Sequence, residues 1–158
     1  MRPRGASVAA ARPRLRRFSP MSEHLFGAEH VRRYLETDGE VGYRWRNDAP
    51  ILILTTTGRK SGEPRLRPLI FGEDDGRYVV VASQGGKPTH PDWYLNLTAH
   101  PDVHVQIKGD RFPARARTAE GEERERLWRQ MAQIWPPYDD YQQKTERRIP
   151  VVVLDPGH

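Results

Sequence analysis

The chain contains no cysteine, which excludes disulfides, thiol catalysis and thiolate metal sites. No apolar run approaches the length of a bilayer span. There is no G-x-S-x-G elbow, so Ser61 lacks the setting of a nucleophile. Metal-ligand spacing is also missing: His100 and His104 are four apart, but Pro101 stands between them. No metal is expected. A nucleic-acid footprint is wanting too, although the formal net charge is +5. Residues 1–20 hold six arginines (Arg2, Arg4, Arg12, Arg14, Arg16 and Arg17) and no acid. Taking these from the 26 Lys and Arg leaves 20 against 21 acids, a net charge of −1. The basic excess therefore belongs to a tail and not to a charged stripe on a domain. That tail, rich in Arg, Ala and Pro, lacks the apolar stretch of a secretory signal. It reads as disordered, either as an extension or as sequence upstream of a start at Met21.

What is present fits one domain over 21–158. "SEHLFGAEHVRRYLETDG" has the period of a helix, with Ser22 as cap and Gly39 as stop. "ILILTTT" (51–57) is a strand, and "RLRPLIF" (65–71) a second. Pro68 cannot donate to a ladder, so the second belongs at an edge or carries a bulge. "EDDG" turns the chain into a third strand, 77–83. "HPDWYLNLTAHP" (90–101) predicts a short helix with Pro91 in its first turn. A hairpin about Gly109-Asp110 spans 103–117, and Thr118, Glu120, Glu122 and Glu123 open the next helix. "IPVVVLD" (149–155) is the last strand. About six strands and three or four helices, joined mainly by hairpins, make an antiparallel α+β barrel.

Three stretches carry chemistry. "TTTGRKSGEPRLRP" places Arg59, Lys60, Arg65 and Arg67 on a tight turn between two strands. It is no Walker loop, since Arg59 sits where that pattern needs glycine. Gly58 and Gly62 permit left-handed backbone, so successive amides can form an anion nest, with the cations adding charge-assisted bonds. The alternative is a solvated hairpin turn. "ASQGGKPTHPDWY" ends a strand at Ser83 and follows it with Gly85 and Gly86, where backbone can approach a flat ligand. "WPPYDDYQQ" sets Tyr138 and Tyr141 three apart, on one helical face. Two phenols there would donate to a carbonyl or nitro oxygen, or simply pack.

Together the segments "LTTTGRKSGEPR", "VVVASQGGKPTHPDWYLNLTAHPDVHVQIKGD" and "YDDYQQKTERRIPVVVLDP" resemble the deazaflavin-dependent nitroreductase family, the quinone and nitro reductases that use coenzyme F420. The likeness runs from Ile51 to Pro156. It implies a split β-barrel related to FMN-binding barrels. It implies a hydride passed from reduced F420 to a quinone, nitro compound or similar electron-poor acceptor. Thr57, Gly58, Arg59, Lys60, Ser61 and Arg65 would hold the phosphate end of F420, with its acidic tail. Ala82, Ser83, Gln84, Gly85 and Gly86 would hold the ring edge, and Trp93 would wall the pocket. Tyr138, Tyr141 and Ser83 would be the catalytic hydrogen-bonders, and Trp135, Tyr138 and Tyr141 would bind substrate.

Three residues depart from the family pattern. Gln84 replaces a lysine, Trp135 replaces a tyrosine, and Arg67 stands where a smaller polar residue is usual. A barrel that carries F420 without turnover, or one that binds FMN or haem, remains an alternative. Through the resemblance, residues 22–37 either pack on the barrel, cover the pocket or touch a membrane surface, with Leu25, Phe26, Val31, Tyr34 and Leu35 as the apolar contacts. The expected location is the cytoplasm, free or at the inner face of the membrane, as monomer or homodimer.

Overall fold

In the computed structural model, residues 25–157 are described. The basic tail, Ser22 and the first residues of the 22–37 segment lie outside them. Helix α1 (Gly27–Thr37) has Phe26 at its N-cap position, without a side-chain cap. Left-handed Asp38 ends it and Gly39 follows, also at positive φ. The strands are β1 (Ile51–Thr57), β2 (Pro64–Ile70), β3 (Gly72–Asp74), β4 (Arg77–Val81), β5 (Asp102–Ile107), β6 (Asp110–Thr118) and β7 (Val151–Asp155). Helix α2 (Asp92–Ala99) precedes β5, and α3 (Gly121–Ile134) and α4 (Pro137–Gln143) lie between β6 and β7.

All pairings are antiparallel, in the order β2-β1-β5-β6-β7-β4-β3. The two outermost strands, β2 and β3, are separated in the chain by Phe71 alone. Seven flat strands would hold those edges roughly 29 Å apart, far beyond the reach of one residue. The sheet must therefore curl until its edges meet, which makes the α+β split barrel that the sequence resemblance implied.

Alternation sorts the strand residues onto two faces. Ile51, Ile53, Val79, Val81, Val151 and Val153 join Val31 and Tyr34 of α1, Leu127 and Met131 of α3, and Tyr138 of α4. These residues form the outer face, covered by helices. Leu52, Leu54, Val80, Val152 and Leu154 face the lumen, which Trp93 and Leu97 of α2 close. Both faces are buried, so these strands read as unbroken apolar runs.

Several boundaries differ from the expectation. "EDDG" is not all turn: Gly72–Asp74 pairs with β4, and Asp75 and Gly76 alone reverse the chain, both at positive φ. Thr118 stays in β6, paired with Val152, and Glu120 takes the N-cap position of α3. Pro91 occupies the N-cap position of α2. Pro68 sits on the edge strand β2, as its missing N–H requires.

The first helix packs on the barrel. Tyr34, fully buried, donates its hydroxyl to the Ile51 carbonyl at 2.9 Å and accepts from the Lys108 N–H at 2.7 Å. Burial raises its pKa to about 12. Leu25 and Val31 are also buried, and Leu35 is partly so. Phe26, 59% exposed, is the one apolar side chain of the group left open. No helix among the described residues is long and apolar enough to cross a membrane.

Candidate functional site

The β1–β2 turn is closed by its own amides. Gly58 N–H donates to the Glu63 carbonyl, Gly62 N–H to the Gly58 carbonyl, and Glu63 N–H to Ser61 Oγ. The Arg59 N–H is taken by Asn96 of α2. Four amides of the turn are thus taken, whereas the successive N–H groups of Lys60 and Ser61 have no acceptor among the described residues. Gly62 has the expected positive φ, but Gly58 does not. Gly58 is needed for closeness: a Cβ there would lie 2.7 Å from Ser61 Oγ and 3.2 Å from the Glu63 carbonyl.

Of the four cationic side chains, only Arg59 is engaged by an acid among the described residues. Arg59 is bound by Asn96 Oδ1 at 2.9 Å and Asp92 Oδ1 at 3.4 Å. Asn96 is itself buried and donates to Thr56, which fixes α2 against the turn. Lys60, Arg65 and Arg67 have no acidic partner among the described residues. Arg65 reaches only Ser61 Oγ, and Arg67 only the Leu66 carbonyl. These three cations line a pocket of about 250 Å³ with Ser61, Arg59 and Trp93. Asp92 also lines this pocket and pairs with Arg59, which leaves three cations there in excess, a charge balance that favours a polyanionic ligand.

A second cavity, about 430 Å³, shares Arg67 and Trp93 with the first, so the two adjoin. Its walls are aromatic. Trp45 stacks on Trp135 with centroids 5.5 Å apart, and Phe26 stands edge-on to Trp45. Ser83, Gln84 and Gly85 form one side, and Tyr138 and Tyr141 another. The Gln84 amide turns away to Thr89. The Trp135 indole N–H donates to the Tyr141 oxygen at 3.4 Å.

Tyr138 is 5% exposed, yet its hydroxyl has no hydrogen-bond partner among the described residues. Desolvation, with a smaller contribution from Tyr141, pushes its pKa far above the ordinary phenol value. The phenol is therefore a protonated donor at every physiological pH. A buried, unpaired donor beside a cavity marks a place for a ligand acceptor atom. The Ser83 hydroxyl is likewise without a partner among the described residues.

Of the residues inferred from sequence, Thr57, Ala82 and Gly86 line neither cavity. Thr57 pairs with Pro64 at the end of β1, and Ala82 is buried in the lumen. Gly86, at φ +84, backs onto α4: a Cβ would stand 2.7 Å from the Tyr141 carbonyl oxygen. Gly86→Ala is expected to destabilise the fold by about 2–4 kcal/mol through strain and overpacking. Its urea midpoint would show this, and an unchanged midpoint would mean that the loop and α4 are not held together there.

Sequence reasoning missed Trp45 and His30. Trp45 is a large aromatic within polar "YRWRND", which is a usable signal. His30 Nε2 lies 2.8 Å from the Gly42 carbonyl, so that nitrogen carries the hydrogen. Burial pushes the His30 pKa below its ordinary value, keeping the ring neutral.

A split barrel whose unpaired cations adjoin an aromatic chamber has the shape and charge to suit a flat organic ligand bearing an anionic tail. Comparison with known proteins agrees. The sequence profile of the F420H(2)-dependent quinone reductase family matches residues 27–156, and the chain belongs to that family. An F420H(2)-dependent quinone reductase of Mycobacterium tuberculosis is 39% identical over 128 residues, covering 79% of this chain and 86% of that one. A solved F420-H2 dependent reductase, FDR-A, is 48% identical with a TM-score of 0.63, covering 67% of this chain and 94% of its own. A solved structure described as a domain-swapped dimer is 46% identical with a TM-score of 0.66, covering 80% and 95%.

Proposed function

We propose that this protein reduces a flat, electron-poor acceptor, a quinone or nitro compound, in the aromatic chamber, with Tyr138 as the hydrogen-bond donor to the acceptor oxygen. As a family member it is an F420H2-dependent reductase, and coenzyme F420 is its cofactor. When bound, the deazaflavin supplies a hydride, which protein side chains cannot. Everything else falls to the chain. Lys60, Arg65 and Ser61 hold the phosphate and acidic tail, and Arg67 gives the cationic contact that Gln84 lacks. Arg is suited to this task because its planar fork matches phosphate and carboxylate. Ser83, Gly85 and Trp93 line the ring site. Trp45, Trp135 and Phe26 exclude water, which strengthens each remaining polar contact.

Tyr138 then stabilises the negative charge that develops on the acceptor oxygen. The observation carrying this assignment is a buried hydroxyl without a partner among the described residues, on a residue that lines a chamber adjoining the cationic pocket. A mere carrier of F420 has no use for such a donor. Dimerisation through a domain swap is supported by the 46% identical structure alone.

Titration with F420 and FMN, then oxidation of F420H2 followed by its absorbance with menadione and a nitroimidazole, tests this function. F420 is expected to bind at least ~10-fold tighter than FMN, and menadione to be reduced. Tight F420 binding with no acceptor reduced would instead establish a carrier.

A further inference from the structure

Between β4 and α2 the chain passes through three consecutive left-handed residues, Gln84 (φ 47), Gly85 (φ 65) and Gly86 (φ 84). Such a path is sterically unfavourable for glutamine and turns several carbonyls towards one point. The Arg147 guanidinium occupies that point. Nη1 donates to the Ala82 carbonyl at 3.1 Å, and Nη2 to the Ser83 carbonyl at 2.8 Å. Lys87 O receives Nε at 3.1 Å and Nη2 at 2.9 Å. Nη1 also lies 3.0 Å from His90 Nδ1. A guanidinium has five N–H donors, and these contacts use all of them on one loop. None is to a carboxylate, and Arg147 has no ion-pair partner among the described residues.

The anchor of this clamp leads back to the tyrosine helix. The Arg147 carbonyl accepts from Gln142 Nε2 at 2.7 Å, and Gln142 Oε1 accepts from the Ile149 N–H at 3.0 Å. Gln142 is part of α4, the helix of Tyr138 and Tyr141. Arg147 thus adds a polar tie between this loop and the tyrosine helix, beside the close packing of Gly86 on the Tyr141 backbone.

We infer, resting on the cofactor function above, that Arg147 is the positioning residue of the ring site: it holds the Ser83–Gly85 loop in the shape that receives the deazaflavin ring and couples that loop to the tyrosine helix. The cations of the β1–β2 turn act on the tail, whereas Arg147 acts on the ring. Lysine cannot replace it, since three donors on one atom cannot reach carbonyls spread around a planar fork.

The test separates ring from tail. Affinities are measured for F420 and for its deazariboflavin core, which keeps the ribityl chain but lacks the phosphate and glutamate tail. Wild type, Arg147→Ala, Arg147→Lys and Lys60→Ala are compared, with Tm recorded for each. Arg147→Ala is expected to lower both affinities by the same factor, about 10- to 100-fold, the loss of charge-assisted hydrogen bonds. Arg147→Lys should recover little of it. Lys60→Ala should weaken F420 but leave binding of the deazariboflavin core unchanged, a split that general destabilisation would not produce.

If Arg147→Ala fails to fold, Arg147→Lys decides. Wild-type affinity for the deazariboflavin core in a folded Arg147→Lys, or a lowered Tm with both affinities kept, would overturn the assignment. Wild-type protein that binds neither ligand would remove the cofactor function itself, and this assignment with it.

Discussion

Replacing Lys60 and Arg65 together by alanine is expected to weaken F420 binding about 100-fold, with most of the loss disappearing at high salt. Both side chains are exposed and unneutralised among the described residues, so in the free protein they repel each other and Arg67. A phosphate with an acidic tail relieves that repulsion and gains charge-assisted bonds. The dependence of log Kd on log salt should therefore flatten in the double variant, because fewer ion contacts remain to be screened. Arg59 behaves differently. Its charge is already engaged by Asp92 and Asn96, so Arg59→Ala disturbs the packing of α2 more than the electrostatics. Fluorescence titration at several salt concentrations distinguishes these outcomes. Equal affinity and equal salt slope in wild type and double variant would place the phosphate elsewhere.

The second large effect is expected from Tyr138→Phe. Turnover should fall about 100- to 1,000-fold, the range for losing one donor to a developing oxyanion, while F420 affinity holds. Stability supplies a further check. The Tyr138 hydroxyl is buried without a partner among the described residues, so deleting it removes a desolvated polar group and breaks no bond. The phenylalanine variant should melt at the same temperature as wild type or slightly higher. Loss of turnover with retained or raised Tm identifies a group kept for function at some cost in stability. A variant with lower Tm and normal turnover would make Tyr138 a packing residue. Since burial drives the phenol pKa upward, Tyr138 itself contributes no pH dependence near neutrality.

Much of the barrel was legible because its signals are local. "ILIL", "VVV" and "VVVL" mark strands buried on both faces, and Pro68 marks an edge wherever the strand lies. The cationic turn was legible as charge, but its conformation was not. Asn96 lies 37 residues downstream of Arg59 and takes the Arg59 amide. A partner so distant cannot be inferred from a local glycine pattern, so which amides of the turn are taken and which stay open was not legible. The short β3 escaped notice because "EDDG" has the composition of a turn, and only pairing with β4 makes part of it a strand. Arg147 was hidden for a related reason. In "TERRIP" it resembles any exposed arginine, and its role follows from the backbone path of a loop 60 residues away. Tyr138 and Tyr141 could be picked out as a pair by spacing, but which phenol lacks a partner is a property of packing.

The shared wall of the two cavities, Arg67 and Trp93, has a consequence for ligand selection. A molecule whose charged end and planar end are covalently joined engages both compartments as a bidentate guest: once one end is seated, the other faces its compartment at high effective concentration. Separate fragments gain no such advantage. Inorganic phosphate or a lone aromatic, even when abundant in the cell, would compete poorly for a groove that rewards the connection between its two halves.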